Sequence, residues 1–85
     1  MERANETAAA YMSKEDAICD REQFVRNLGE LLSQTRDGVV GCELIDADKP
    51  TEHVQVNYKN GGKRLICTHM DSYAAIVQDV AKRFQ

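Results

Sequence analysis

Apolar residues fall at helical spacing near each end of the chain and alternate in the stretch between. Phe24, Val25, Leu28, Leu31 and Leu32 occupy i, i+1, i+4, i+7 and i+8, which predicts one apolar stripe on a helix. Arg21, Glu22, Arg26, Asn27 and Glu30 are assigned to its polar side. Two capping signals precede the stripe, Ser13 with Asp16 and Asp20 with Gln23. Gly29 lies inside this helix and costs it about 1 kcal/mol relative to Ala. A missing side chain there leaves room for a second backbone. Near the other end, Tyr73, Ile76, Val77, Val80 and Phe84 form a second stripe. Asp71 or Ser72 caps that helix, and Lys82 and Arg83 suit its C-terminal dipole.

Three segments between the helices alternate as strands do. In Val39 to Ile45, Val40, Cys42 and Leu44 take one face, and Val39, Gly41 and Glu43 the other. Pro50 and the aspartates of residues 46–51 make a loop. In His53 to Tyr58, Val54, Val56 and Tyr58 alternate with His53, Gln55 and Asn57. Lys63 to Thr68 is the third strand. Asn60-Gly61 between the last two suits a two-residue type I′ turn, whose central residues both need positive φ. That turn pairs Val56 with Leu65 and Val54 with Cys67. His53, Gln55 and Asn57 then meet Thr68, Ile66 and Arg64 on the outward face. The expected fold is an α+β, α-β-β-β-α two-layer domain. Its three-stranded antiparallel sheet carries both helices on one face. The expected organisation is an N-terminal extension over 1–19, partly helical or mobile, followed by a single domain over 20–85.

Composition narrows the function. The chain has 85 residues, 42% hydrophobic and 29% charged, which fits one small folded domain and not a disordered segment. A net charge of −3 argues against a simple polyanion binder. No apolar run is long enough to span a bilayer, and no secretory leader opens the chain, so a cytoplasmic location is expected. Cys19, Cys42 and Cys67 are odd in number with no CxxC pair, so they read as reduced, mostly buried thiols. Cys67, His69 and His53 are the one set that could approach metal-site chemistry, and their spacing is not that of a zinc site. The same residues with an aspartate could be drawn as a nucleophilic triad, but no nucleophile elbow supports it. The Asn-Gly-Gly turn lacks the Lys-Ser/Thr of a phosphate loop. The expectation is therefore a non-catalytic protein with no cofactor and no metal.

Two surfaces are the candidate binding sites. Glu43, Asp46, Asp48 and Glu52 form an acidic edge, which could imitate a phosphate track in a basic groove. The outward sheet face offers His53, Gln55, Asn57, Arg64 and Ile66. Ile66, with Val39 or Ile45, or an exposed edge strand, could instead seed a homodimer.

The element order is similar to that of the double-stranded RNA-binding domain. That family reads phosphates with lysines at the start of its last helix. Here Met70-Asp71-Ser72-Tyr73 stands at that position, and Lys59, Lys63 and Arg64 are the one compact basic group. Nucleic acid is therefore not the first expectation for a partner. Residues 54–84, with Asn60, Gly61, Lys63, Arg64, Asp71 and Ser72, resemble short uncharacterised proteins of phages and integrative elements of low-GC gut bacteria. A looser resemblance links the chain to small acidic anti-CRISPR proteins that inhibit an RNA-guided nuclease. Those are far more acidic than this chain, and no functional residue carries over. The resemblance implies a mobile-element accessory protein that binds a host protein complex, as an inhibitor of a defence or nucleic-acid-processing assembly. The alternatives are a nucleic-acid-binding module and a self-associating structural protein.

Overall fold

The structure is a computed structural model whose described residues are 13–84. The expectation for residues 1–12 lies outside them. The element order is α1 (Lys14–Thr35), β1 (Val39–Ile45), β2 (His53–Tyr58), β3 (Lys63–Cys67) and α2 (Tyr73–Lys82). The strands form one antiparallel sheet in the order β1-β2-β3.

The first capping signal opens α1. Ser13 Oγ accepts the Asp16 amide at 3.0 Å, which satisfies one of the free N–H groups of the first turn. Asp20, the second candidate cap, is therefore inside the helix, and so are residues 14–19. Val25 and Gly29 are buried, while Phe24, Leu28 and Leu32 pack partly against the core. Leu31 is 56% exposed, because it lies a third of a turn off the line that faces the sheet. In α2, Ile76 and Val80 are buried, and Ser72 Oγ caps the helix through the Ala75 amide at 3.2 Å. Tyr73 and Val77 stay exposed, although Tyr73 stacks on Phe24 with ring centroids 4.6 Å apart. Both helices contribute to one core with Val39, Cys42, Leu44, Val54, Val56 and Ile66, so they share one face of the sheet.

Gly29 meets the expectation of close approach. A Cβ on it would stand 2.2 Å from the Cys42 nitrogen. Helix α1 therefore rests on the β1 backbone itself, which no residue larger than glycine permits.

Two registers differ from the sequence reading. In β1, Val39 pairs with Tyr58 and Gly41 with Asn57, leaving Val40 as the extra residue of a bulge. The bulge turns Val39 into the core and leaves Val40 58% exposed. In the hairpin, Val54 pairs with Ile66 and Val56 with Arg64, one residue away from the expected pairing. The turn explains the slip. Gly61 alone takes positive φ, at 86°, so the two-residue type I′ turn does not form. Instead the Tyr58 amide donates to the Gly62 carbonyl at 2.9 Å, closing a three-residue loop, Lys59-Asn60-Gly61. Asn60 Oδ1 holds the loop by accepting the Gly62 amide at 2.8 Å.

The slip exchanges the faces of β3. Ile66 is buried at 1% exposure, so it belongs neither to the outward face nor to a dimer seed. Val39 is likewise buried. Arg64 shares the helix side with Val56 and donates through Nη1 to the Arg83 carbonyl at 2.8 Å. Leu65 and Cys67 take the outward face, with Leu65 60% exposed.

Candidate functional site

The densest polar cluster gathers around Arg21, which the stripe reading had placed on the solvent side of α1. Arg21 stands four residues before Val25, so its side chain follows the buried line toward the sheet. Its Nε and Nη2 donate to the two oxygens of Glu52 at 2.8 and 2.7 Å, a bidentate pair. Nη2 also donates to the Thr68 carbonyl at 2.9 Å, and Nη1 to the Asp71 carbonyl at 2.7 Å. Glu52 accepts two further bonds, from the Thr68 hydroxyl at 2.9 Å and the Asp48 amide at 3.1 Å. One guanidinium thereby joins α1, the β1–β2 loop and the chain leaving β3.

This corrects the acidic edge. Glu52 is 2% exposed and offers nothing to a partner. Asp48 pairs with Lys14 at 3.3 Å, and Asp46 accepts the Thr51 hydroxyl at 2.9 Å. Asp46 and Asp48 both adopt positive φ, so these aspartates serve the loop's turns. Glu43 lies apart on the outward face, where it accepts from Asn57 Nδ2 at 3.0 Å. The four carboxylates form no continuous exposed edge.

The Arg21–Glu52 cluster holds its charges by mutual hydrogen bonding. Burial pushes the Glu52 carboxyl up. The Arg21 guanidinium, the Asp48 amide and the Thr68 hydroxyl outweigh it and hold the group below the ordinary carboxylate range. A general base near neutrality needs the opposite shift. The adjoining cleft, lined by Arg21, Asp48, Glu52, His69, Met70 and Asp71, measures ≈ 180 Å³, below the range of about 300 Å³ and upward usual for small-molecule sites.

Two carboxyl groups, Asp71 just before α2 and Asp79 within it, lie close together. The neighbouring Asp79 carboxyl raises Asp71 above the usual range, and burial adds to the shift. Asp71 Oδ2 is buried and has no hydrogen-bond partner. Nothing in local spacing announces this pair, since it depends on how the chain enters the helix.

The cysteines differ from their expected burial. Cys42 is buried, and burial pushes its thiol up to about 11, so it stays protonated and inert. Cys19 and Cys67 are exposed. His53 and Cys67 are cross-strand partners, and His53 Nδ1 lies 2.9 Å from the Thr51 carbonyl. Among the described residues, no group of three or more His, Cys, Asp or Glu side chains could hold a metal ion.

What the fold leaves open is the outward face of the sheet. His53, Gln55 and Asn57 lie there as expected, joined by Glu43, Ile45, Lys63, Leu65 and Cys67. Gln55 Nε2 donates to Asn57 Oδ1 at 2.9 Å, and Asn57 passes the chain on to Glu43. A hydrogen-bonded polar band thus links β1 and β2 on this face, with Ile45 and Leu65 beside it. No protein-family model, curated protein or solved structure matches this chain. No helix among the described residues is long and apolar enough to cross a membrane.

Proposed function

We propose that this chain is a non-catalytic binding domain that docks on another protein through the outward face of its sheet. The observation that carries the reading is the one-sided architecture. Both helices cover one face, and the other presents Ile45 and Leu65 around the ordered Glu43–Asn57–Gln55 band. Mixed surfaces of this kind, apolar contacts within a satisfied polar frame, suit protein recognition. The host partner implied by the resemblance to mobile-element proteins belongs to the same proposal. Mimicry of a phosphate track does not, because Glu52 is buried and Asp46 and Asp48 are engaged within their loop.

The test is affinity capture from bacterial lysate with the wild-type chain and with face variants. Gln55→Arg and Asn57→Lys place charge at the centre of the face. Glu30→Lys, on an exposed position of α1, is the control. A partner held stoichiometrically by wild type and the control, but lost by both face variants, supports the reading. Capture indifferent to the face variants overturns it. A salt-sensitive shift of nucleic acid at the same residues would transfer the face to the nucleic-acid alternative.

A further inference from the structure

The ladder fixes which backbone groups of β3 remain free. Tyr58 bonds to Gly62 at one end, and the Thr68 amide donates to the Glu52 carbonyl at 3.4 Å at the other. Between them the pairs Val56–Arg64 and Val54–Ile66 stay in phase with these bonds. Lys63, Leu65 and Cys67 therefore turn their N–H and C=O groups away from β2, toward the sheet's edge. Their side chains lie on the outward face. No proline and no bulge interrupts this edge, and those are among the usual devices that discourage pairing.

The helix side of the same edge is charged in a directional way. Helix α2 stands off from β3, leaving a cleft of ≈ 430 Å³ lined by Ile66, Cys67, Asp79, Lys82 and Arg83. Arg64, bonded to the Arg83 carbonyl, sits at its basic end. Asp79, with its neighbour Asp71, marks the acidic end beside Cys67. An antiparallel copy reverses this order, so that each basic end meets an acidic one.

We propose that the free edge of β3 pairs antiparallel with the β3 edge of a second copy of this chain, with Leu65 on the two-fold axis and Arg64 of each copy beside Asp79 of the other. In that register Leu65 packs on its own counterpart across the axis. Lys63 stands opposite Cys67 of the second copy. Arg64 stands opposite Ile66 of the second copy, on the side where Asp79 lies. The two sheets become one, and an isologous interface closes the assembly at a dimer. This inference concerns the edge and does not rest on the partner-binding role of the face.

Sedimentation velocity of the full chain over a concentration series reads the assembly. The expected result is reversible association to twice the chain mass. Leu65→Pro removes an amide that bonds to nothing in the monomer sheet. It should raise the dissociation constant at least about tenfold, with the circular dichroism unchanged. A second set of variants covers the case that the proline disturbs folding. Arg64→Glu and Asp79→Arg should each weaken the dimer, and their combination should restore it. Lys63→Cys should form an intermolecular disulfide with Cys67 of the second copy under mild oxidation, since that pair lies within bridging distance in this register. A chain that stays monomeric into the millimolar range overturns the proposal. So does a dimer whose strength ignores the proline or, where that variant is unfolded, both charge reversals.

Discussion

The two outer strands of the sheet meet their helices in opposite ways. At β1 the helix touches backbone: Gly29 leaves no room for a Cβ above Cys42. The contact falls on an amide that the ladder turns outward, because β2 spends its bonds toward β1 on Gly41, Glu43 and Ile45. At β3 the helix stands off and leaves a cleft, bridged at its basic end by Arg64. A single small sheet thus has one crowded margin and one open margin. The asymmetry comes from one glycine. Where a helix lacks a side chain it can settle onto a strand, and where it carries Ile76 and Val80 it is held at side-chain distance.

The first test breaks the crowded margin. Helix propensity alone says that Gly29→Ala should stabilise α1 by about 1 kcal/mol. The clash with Cys42 and Gly41 says the opposite and is larger, since steric overpacking costs about 1–3 kcal/mol and here involves backbone that cannot step aside. We expect a net loss of up to about 2 kcal/mol in urea denaturation. Any stabilisation would show that α1 lifts freely off β1 and would remove the comparison.

Next comes the guanidinium that ties α1 to the chain leaving β3. Glu52→Gln leaves Arg21 charged and short of its bidentate partner, a break that costs about 3 kcal/mol or more in a buried pair. Arg21→Met with Glu52→Leu removes both charges and should recover part of that loss, although the Thr68 hydroxyl and the Asp48 amide then lose their acceptor. The pH dependence carries a sign. Glu52 is held below its unfolded pKa, so its contribution is complete above the unfolded carboxylate value and is lost as pH falls through the lower folded one. Acid unfolding followed by circular dichroism should therefore begin at higher pH in wild type than the remaining carboxylates alone would give. Glu52→Gln should flatten that limb. An unchanged acid limb would mean that the pair contributes nothing to this end of the sheet.

The same comparison shows where sequence reasoning holds and where it stops. The strands, both helix stripes, the Ser13 and Ser72 capping candidates and the close approach at Gly29 are all readable locally, because period and capping chemistry are local properties. The register of β3 is not. Leu65 with Cys67 and Ile66 with Thr68 are near-equivalent candidates for the core face, so the apolar pattern does not choose between them. The choice falls to the turn, where Asn60 declines positive φ and the loop takes a third residue. The acidic edge fails for a different reason. Glu52 looks solvated until Arg21, distant in sequence, arrives to bury it. The position of Arg21 in line with Val25 was the available signal. An arginine on a core-facing line calls for a buried acceptor, and Glu52 supplies it.

Two smaller effects sharpen the open margin. Ser72→Ala removes the cap that starts α2 beside the end of β3 and should cost about 1 kcal/mol in thermal or urea unfolding. A null result would mean that the helix start is held by Arg21 on the Asp71 carbonyl alone.

The smallest effect is expected at Asp79 and has the opposite sign. The Asp71 carboxyl is raised above its unfolded value by the neighbouring Asp79 carboxylate. A raised carboxyl contributes stability that is complete below the unfolded pKa and is lost as pH rises through the folded one. At neutral pH the pair is thus a liability, and Asp79→Asn should relieve it, raising stability by less than about 1 kcal/mol. The gain should vanish when the same measurement is made below pH ~4, because protonation has by then relieved wild type too. Concentration adds a further discrimination. If Arg64 of a second copy reaches Asp79, the monomer gains from Asp79→Asn while the dimer loses, so the variant should be more stable than wild type in dilute solution and less associated in concentrated solution. Equal shifts at both concentrations would confine Asp79 to its own chain and leave the open margin without its acidic anchor.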